Sequence, residues 1–364
     1  MSVQLRELAE SDLKAVAALV AEVFDRPVPE DGDARLRWLL FDNPDRTPGV
    51  PCGWVLWDGD RPVGFIANVA RRMAVGGRDA LAACTAKFVV RPSHRFHGLM
   101  LAKKFFDQTN VDILLCSTAN QTSAPILERF GGRFVAGGDD AVVFVIRAGG
   151  VVSEVLRRRG YGETLRKAAA FSAGGVMTLV ETARRRWPEG SGDIRVDEIA
   201  TFDEGLDDLW ARAADDYHVH SRRDALRMNW LFRAGPKSRW PTTILGAFRG
   251  DRLDGYLVCQ DRGRVEGVRR REVMDVFTRR DDVDVFDALV GEAGRMTAQQ
   301  KRDTLEFRNL PADRLDRLVA WGARRRKLDV NPFLVRVVNS ALDVDPVDAS
   351  QWYLVPADGD GAGW

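Results

Sequence analysis

A chain of 364 residues is too long for one ordinary hydrophobic core, so two domains are the default expectation. Lys and Arg number 54 against 53 Asp and Glu, a formal net charge of +1 that supplies no global field to recruit nucleic acid or an anionic membrane. Hydrophobic residues at 45% and charged ones at 29% are those of a soluble globular protein, and Cys52, Cys84, Cys116 and Cys259 are too scattered for a zinc site or a disulfide framework, as suits a reducing cytoplasm.

Residues 3–8 alternate as a strand, and Glu10, Ser11 and Asp12 offer a cap for a helix carrying Leu13, Val16, Leu19, Val20 and Phe24. The N-terminus shows no signal-peptide core. A strand over 53–57 turns through Asp58-Gly59-Asp60 into another over 62–69, a hairpin signal. A third strand covers 80–90. Its apolar end, Phe88-Val89-Val90, is stopped by Arg91-Pro92, because proline donates no ladder hydrogen bond and restricts the residue before it.

Arg95-Phe96-His97-Gly98-Leu99-Met100 then leads into a helical pattern with Leu99, Ala102, Lys103 and Phe106 at spacings of three or four. Strand, short basic turn and helix together aim backbone N–H groups at an anion. The helix dipole, Arg95 and His97 add positive potential, so this stretch reads as a phosphate cradle. A strand over 112–116 follows at a distance that suits a parallel crossover. A short helix over 123–130, the exit Gly131-Gly132 and a strand over 141–146 close the first domain.

Residues 151–187 read as a helical hairpin, broken near 160–162 and at Gly174-Gly175 and ended by the Pro- and Gly-rich residues 188–192. Its most apolar stretch, 168–180, is too short to span a bilayer. The first half then recurs: residues 37–44 and 59–65 have counterparts at 229–236 and 250–256. Trp38 and Trp230 are offset by 192 and Gly64 and Gly255 by 191, which indicates a duplicated domain. Trp38 and Trp230 are expected in equivalent places, and the strand at Trp54 is expected to align with that at Ile244. In the second copy Asp281, Asp282 and Asp284 replace the cradle and would repel a pyrophosphate.

At Val90-Arg91-Pro92, Arg95-x-x-Gly98, Asn120 and Gly131-Gly132 the chain resembles the GNAT superfamily of acyl-CoA-dependent acyltransferases. Met100 stands where the family's loop usually has Gly or Ala. The resemblance implies an α/β (α+β) fold of two tandem GNAT-like domains, each a mixed, mostly antiparallel sheet flanked by helices. Residues 1–147 would be the acyl-CoA-binding domain, 148–192 a helical connector, 193–345 a degenerate second domain and 346–364 a tail. The donor, acetyl-CoA or another acyl-CoA, would contact Phe88, Val89, Val90, Arg95, Phe96, His97, Gly98, Leu99, Met100, Asn120 and Ser123. No metal and no nucleic-acid partner are expected. The implied activity is acyl transfer to a small-molecule amine or sugar-type acceptor near the cleft between domains. Alternatives are a non-catalytic GNAT pair that binds a ligand or partner, and a Fem-type aminoacyl-tRNA-dependent transferase.

The family's catalytic positions are substituted. Cys84 stands where a carboxylate is common, and Leu127 falls near the usual tyrosine acid, so no catalytic residue is assigned. Cys84 reads as a buried thiol rather than a nucleophile. His218 and His220 lack a clear third metal ligand. Asn120 fits a donor contact and a helix cap equally well. The arginine runs 157–159, 184–186, 269–271 and 324–326 read as solvated helix faces and strand ends.

Overall fold

The computed structural model describes residues 3–117, 119, 123–136, 139–236, 240–265, 267–327 and 333–359. The first half contains β1 (Gln4–Glu7), α1 (Leu13–Val23), α2 (Gly32–Leu40), β2 (Gly53–Asp58), β3 (Arg61–Val75), β4 (Arg78–Val90), α3 (Gly98–Phe106), β5 (Ile113–Cys116), α4 (Ala124–Arg129), β6 (Arg133–Phe134) and β7 (Asp140–Val145). Two helices follow, α5 (Ala148–Arg158) and α6 (Glu163–Arg184). The second half contains β8 (Ile194–Glu198), α7 (Glu204–Ala213), β9 (Val219–Ser221), α8 (Ala225–Asn229), β10 (Thr242–Arg249), β11 (Arg252–Val265), β12 (Val268–Thr278), α9 (Val283–Gln299), β13 (Thr304–Arg308), α10 (Ala312–Ala320), β14 (Arg324–Lys327), β15 (Leu334–Val337) and β16 (Trp352–Tyr353).

Two mixed, mostly antiparallel sheets result. One runs β1-β2-β3-β4-β5-β15-β6 and the other β8-β10-β11-β12-β13-β7-β14, the same order twice. Along these paths only β4–β5 and β12–β13 are parallel. The sixth strand of each sheet comes from the other half: β15 lies between β5 and β6, and β7 between β13 and β14. The strand expected to close the first domain therefore completes the second sheet. Its alternation specified a buried face but not a partner; Val142 and Phe144 are buried with Leu305 and Phe307.

The hairpins β2–β3 and β10–β11 repeat in detail. Gly64 faces Leu56 and Gly255 faces Ala247, and the register shifts after Leu56 in one and after Ala247 in the other. At this offset Trp54 corresponds to Leu245, one residue beyond the expected Ile244. Both glycines admit the helix that follows the fourth strand. A Cβ at Gly64 would lie 3.1 Å from Leu101 of α3, and one at Gly255 would lie 2.6 Å from Val285 of α9.

Three further expectations are corrected. α6 runs unbroken through Gly174-Gly175, because Gly174 is a helix-crossing contact: its Cβ would sit 2.7 Å from the Cα of Gly149 in α5. The runs 269–271 and 324–326 are not simply solvated. Arg271 is buried against Asp261, Arg270 and Arg326 both reach Glu306, and Arg324 reaches Glu181. Residues 352–358 are no loose tail either, for Trp352, Tyr353, Leu354 and Val355 are buried and β16 pairs with β9.

Candidate functional site

The parallel pairing of β4 with β5 covers only Ala82–Thr85 against Ile113–Cys116. β4 runs on to Val90 with β3 on its other side, so beyond Thr85 its second edge leaves the pairing with β5. At the register shift in this stretch Lys87 has φ +50, a left-handed conformation that is uncommon for a residue with a side chain. A cleft of about 290 Å³ opens beside it. Thr85, Ala86, Lys87 and Phe88 form one wall; Cys116, Ala119, Ser123 and Leu127 form the other; Phe24 and Arg26, just past α1, close the end. The Lys87 ammonium lies 5.9 Å from the centre of the Phe24 ring, so the mouth is both aromatic and cationic.

The basic turn departs from an open cradle. Pro92–His97 is a 3-10 helix that continues directly into α3, with the His94 amide donating to the Arg91 carbonyl and the Gly98 amide to that of Arg95. Amides inside such a run point back to carbonyls three or four residues earlier. Anion contact at Arg95–Met100 then rests more on side chains. Arg95 is exposed and His97 half-buried, while His94 lies between Ser93 and Asp58, with its Nε2 3.4 Å from the Asp58 carboxylate.

Among the expected site residues, Phe88 and Ser123 line the cleft. Val89 points into the core, and Gly98 is buried, where a Cβ would meet Val90 at 3.4 Å. Phe96, Leu99 and Met100 are exposed, so the buried face of α3 is Leu101, Ala102, Phe105 and Phe106 rather than the Leu99 pattern. Asn120 lies outside the described residues. Cys84 is buried within β4, and Leu127 lines the cleft without a proton to give. Sequence reasoning missed Phe24, Arg26, Lys87 and Cys116. By its spacing Phe24 reads as helix core, and nothing local marks the end of α1 as a neighbour of β4.

The equivalent place in the second half is filled. β12 pairs with β13 only over Arg270–Glu272. Beyond it, the Tyr353 hydroxyl donates to the Val276 carbonyl and that of Tyr217 to the Thr278 carbonyl at 3.3 Å. Asp282 caps α9 by accepting from the Val285 amide at 3.3 Å, so that helix end is satisfied internally. Arg249, Arg252 and Arg279 nearby each hold an aspartate. Behind Tyr353, buried Arg223 bridges Asp275 and Asp358, and Arg71 also reaches Asp358 at 3.2 Å. Burial raises the Asp275 carboxyl above its ordinary range against the pull of Arg223. Burial also raises that of Asp358, but Arg223 and Arg71 outweigh it and hold the carboxyl low. His218 and His220 each bond a backbone carbonyl, of Asp343 and Ala214 respectively, both at 2.7 Å. No described helix is long and apolar enough to cross a membrane.

No family model matches the chain, and no curated protein does. Solved structures match by fold. A GCN5-related N-acetyltransferase from Anabaena variabilis superposes with a TM-score of 0.62 at 12% identity, covering 93% of this chain and 73% of the other. One from Kribbella flavida gives 0.59 at 15%, covering 93% and 72%. Eis1 from Mycobacterium abscessus gives 0.54 at 16%, covering 93% and 74%. The chain has the fold of GCN5-related N-acetyltransferases, and its two sheets repeat one strand order.

Proposed function

We propose that the protein is an acyl-CoA-dependent acyltransferase with one donor site, in residues 1–147. Residues 148–192 connect it to 193–345, which wall the acceptor side. The observation that carries this reading is the contrast between two equivalent strand splays: the one beside β4 holds an open cleft, and the one beside β12 is filled by Tyr217 and Tyr353. An acyl-CoA donor carries an amide-bearing arm that can lie along the edge of β4 beyond its pairing with β5, as an added strand would. Its phosphates then fall toward the basic turn and Arg95, and its thioester toward Cys116 and Ser123. The acceptor is a small-molecule amine or sugar-type hydroxyl, and the compartment is cytoplasmic.

In the transfer, the acceptor attacks the thioester carbonyl, negative charge builds on its oxygen, and the thiolate leaves as the acceptor loses a proton. Thr85, Lys87, Cys116 and Ser123 are the proton-bearing side chains of the cleft walls that also carry Phe88 and Leu127, and among the described residues no carboxylate lines them. Lys87 and Arg26 place positive charge at the mouth. Buried Cys84 and apolar Leu127, at positions where the family's acid and base are common, favour a second reading, a non-catalytic pair that binds the donor or a related ligand. Incubation with a panel of acyl-CoAs and candidate amines separates the two. Acyl-CoA adducts in native mass spectra together with acceptor-dependent thiol release support transfer. Adducts without thiol release support the binding protein, and no adducts at all contradict both.

A further inference from the structure

The hairpin of α5 and α6 presents an apolar face to solvent. Between Lys167 and Arg184 the only charged residue of α6 is Glu181, which is buried and engaged by Arg324. The inner stripe of α6, with Gly174 and Glu181, packs against α5 and the body. Leu165, Phe171, Val176, Leu179 and Val180 lie outside that stripe, each more than half exposed, with Phe171 at 89% and Leu179 at 72%. The Ser172 hydroxyl on this face is folded back, donating to the Ala168 carbonyl at 3.0 Å, while Thr178 turns toward α5, donating to the Gly174 carbonyl at 2.7 Å and accepting from the Ala148 amide at 2.9 Å. Covering Ser172 therefore takes no water from its hydroxyl donor.

We propose that this face is covered by a second copy of the chain, α6 packing antiparallel on α6 about a two-fold axis. Area is the first argument. Five such side chains offer on the order of 500–600 Å² of apolar surface, the upper end of what a lone monomer shows. Val155 of α5 and Tyr161 of the turn between the helices are exposed as well, which brings the apolar surface of the whole hairpin toward the roughly 800 Å² per partner of a standard interface. Self-complementarity is the second. Phe171 protrudes, and one turn on, Gly175 is open, with nothing within 4 Å of where its Cβ would lie. A two-fold axis crossing α6 between these residues lays each Phe171 ring over the other copy's Gly175, a knob and its own hole. The antiparallel arrangement also opposes the two helix dipoles favourably.

One end of α6 carries Glu163, Arg166 and Lys167, with Glu163 paired to Lys167, and the other carries Arg184 with Arg186 just beyond it; an antiparallel pair brings these ends together with positive charge in excess at both. The dimer is then opposed by like charge at its rim, and added salt tightens it. Binding of the same face to an anionic lipid surface would be loosened by salt. Sedimentation equilibrium on the full chain at micromolar concentration tests this. The wild type is expected to be a dimer that strengthens from low to high salt. Phe171→Glu and Gly175→Leu, both at exposed positions, are expected to raise the dissociation constant at least tenfold with unchanged circular dichroism. A monomeric wild type, a dimer indifferent to both substitutions, or salt-sensitive flotation with phosphatidylserine vesicles by a chain that stays monomeric would each overturn it.

Discussion

Trp38 and Trp230 stack on each other with ring centres 4.8 Å apart, and each indole N–H donates to the other's backbone carbonyl, at 3.1 Å from Trp38 and 3.3 Å from Trp230. The contact is reciprocal, as expected where equivalent residues of two related halves meet on a local two-fold axis. The exchange of β7 and β15 has the same reciprocity. Both tryptophans are buried, so the halves share an aromatic joint as well as strands.

Truncating either tryptophan to alanine is expected to cost about 3–5 kcal/mol in urea unfolding. The loss in the double variant should fall short of the sum by at least ~0.5 kcal/mol, because each single change already removes the stack, while the remaining indole keeps a backbone carbonyl to donate to. Strict additivity would show that the two rings contribute independently.

Arg223 is fully buried between Asp275 and Asp358, so Arg223→Met leaves Asp275 without its cation and Asp358 with Arg71 alone, and should cost about 3–5 kcal/mol. Arg223→Lys keeps the charge but not the fork that reaches both partners, and should lie between Met and wild type. Chemical denaturation of the three proteins at neutral pH gives the order, and equal stability of Lys and Met variants would place the effect in packing alone.

His220 is held neutral: burial, then the charge of Arg223, lower its imidazole from 6.5 to about 4. The unfolded chain takes up a proton near pH 6.5 and the folded chain does not until about 4. Stability from this group is therefore complete above 6.5 and falls with pH through that window, by on the order of 3 kcal/mol. Asp275, whose carboxyl is raised, works in the opposite direction on acidification, so the comparison must be with His220→Gln, which should flatten the wild-type loss. An imidazole resonance of His220 titrating near 6.5 would contradict the assignment.

Met100 lies exposed near the start of α3, with its backbone inside the helical run. Met100→Gly should cost up to about 1 kcal/mol of stability and leave CoA affinity unchanged or slightly better. Calorimetry checks the second half of that statement, and a large loss of affinity would make the methionine side chain a ligand contact.

Much of the architecture was legible because it is written locally. Asp58-Gly59-Asp60 marks a turn whose Gly59 takes φ +59, and Arg91-Pro92 ends β4. What was not legible depends on distant neighbours. The pattern of β7 says which face is buried, and two sheets offer an equivalent slot. Gly174 looks like a helix break until Gly149 is opposite it. Trp38 and Trp230 showed as a repeat, but not as a contact between the copies. The cleft draws Phe24 and Arg26 from the end of α1 to a strand some sixty residues later, and its Lys87 bulge carries no glycine to announce a positive φ.

Calorimetric titration of CoA into wild type, Arg95→Glu and Arg279→Glu tests the central claim most directly. The proposed single donor cleft beside β4 predicts one CoA per chain, binding weakened at least tenfold, about 1.4 kcal/mol or more, by Arg95→Glu and untouched by Arg279→Glu. Two equivalents of CoA per chain, or an affinity indifferent to Arg95, would contradict a single donor site beside β4.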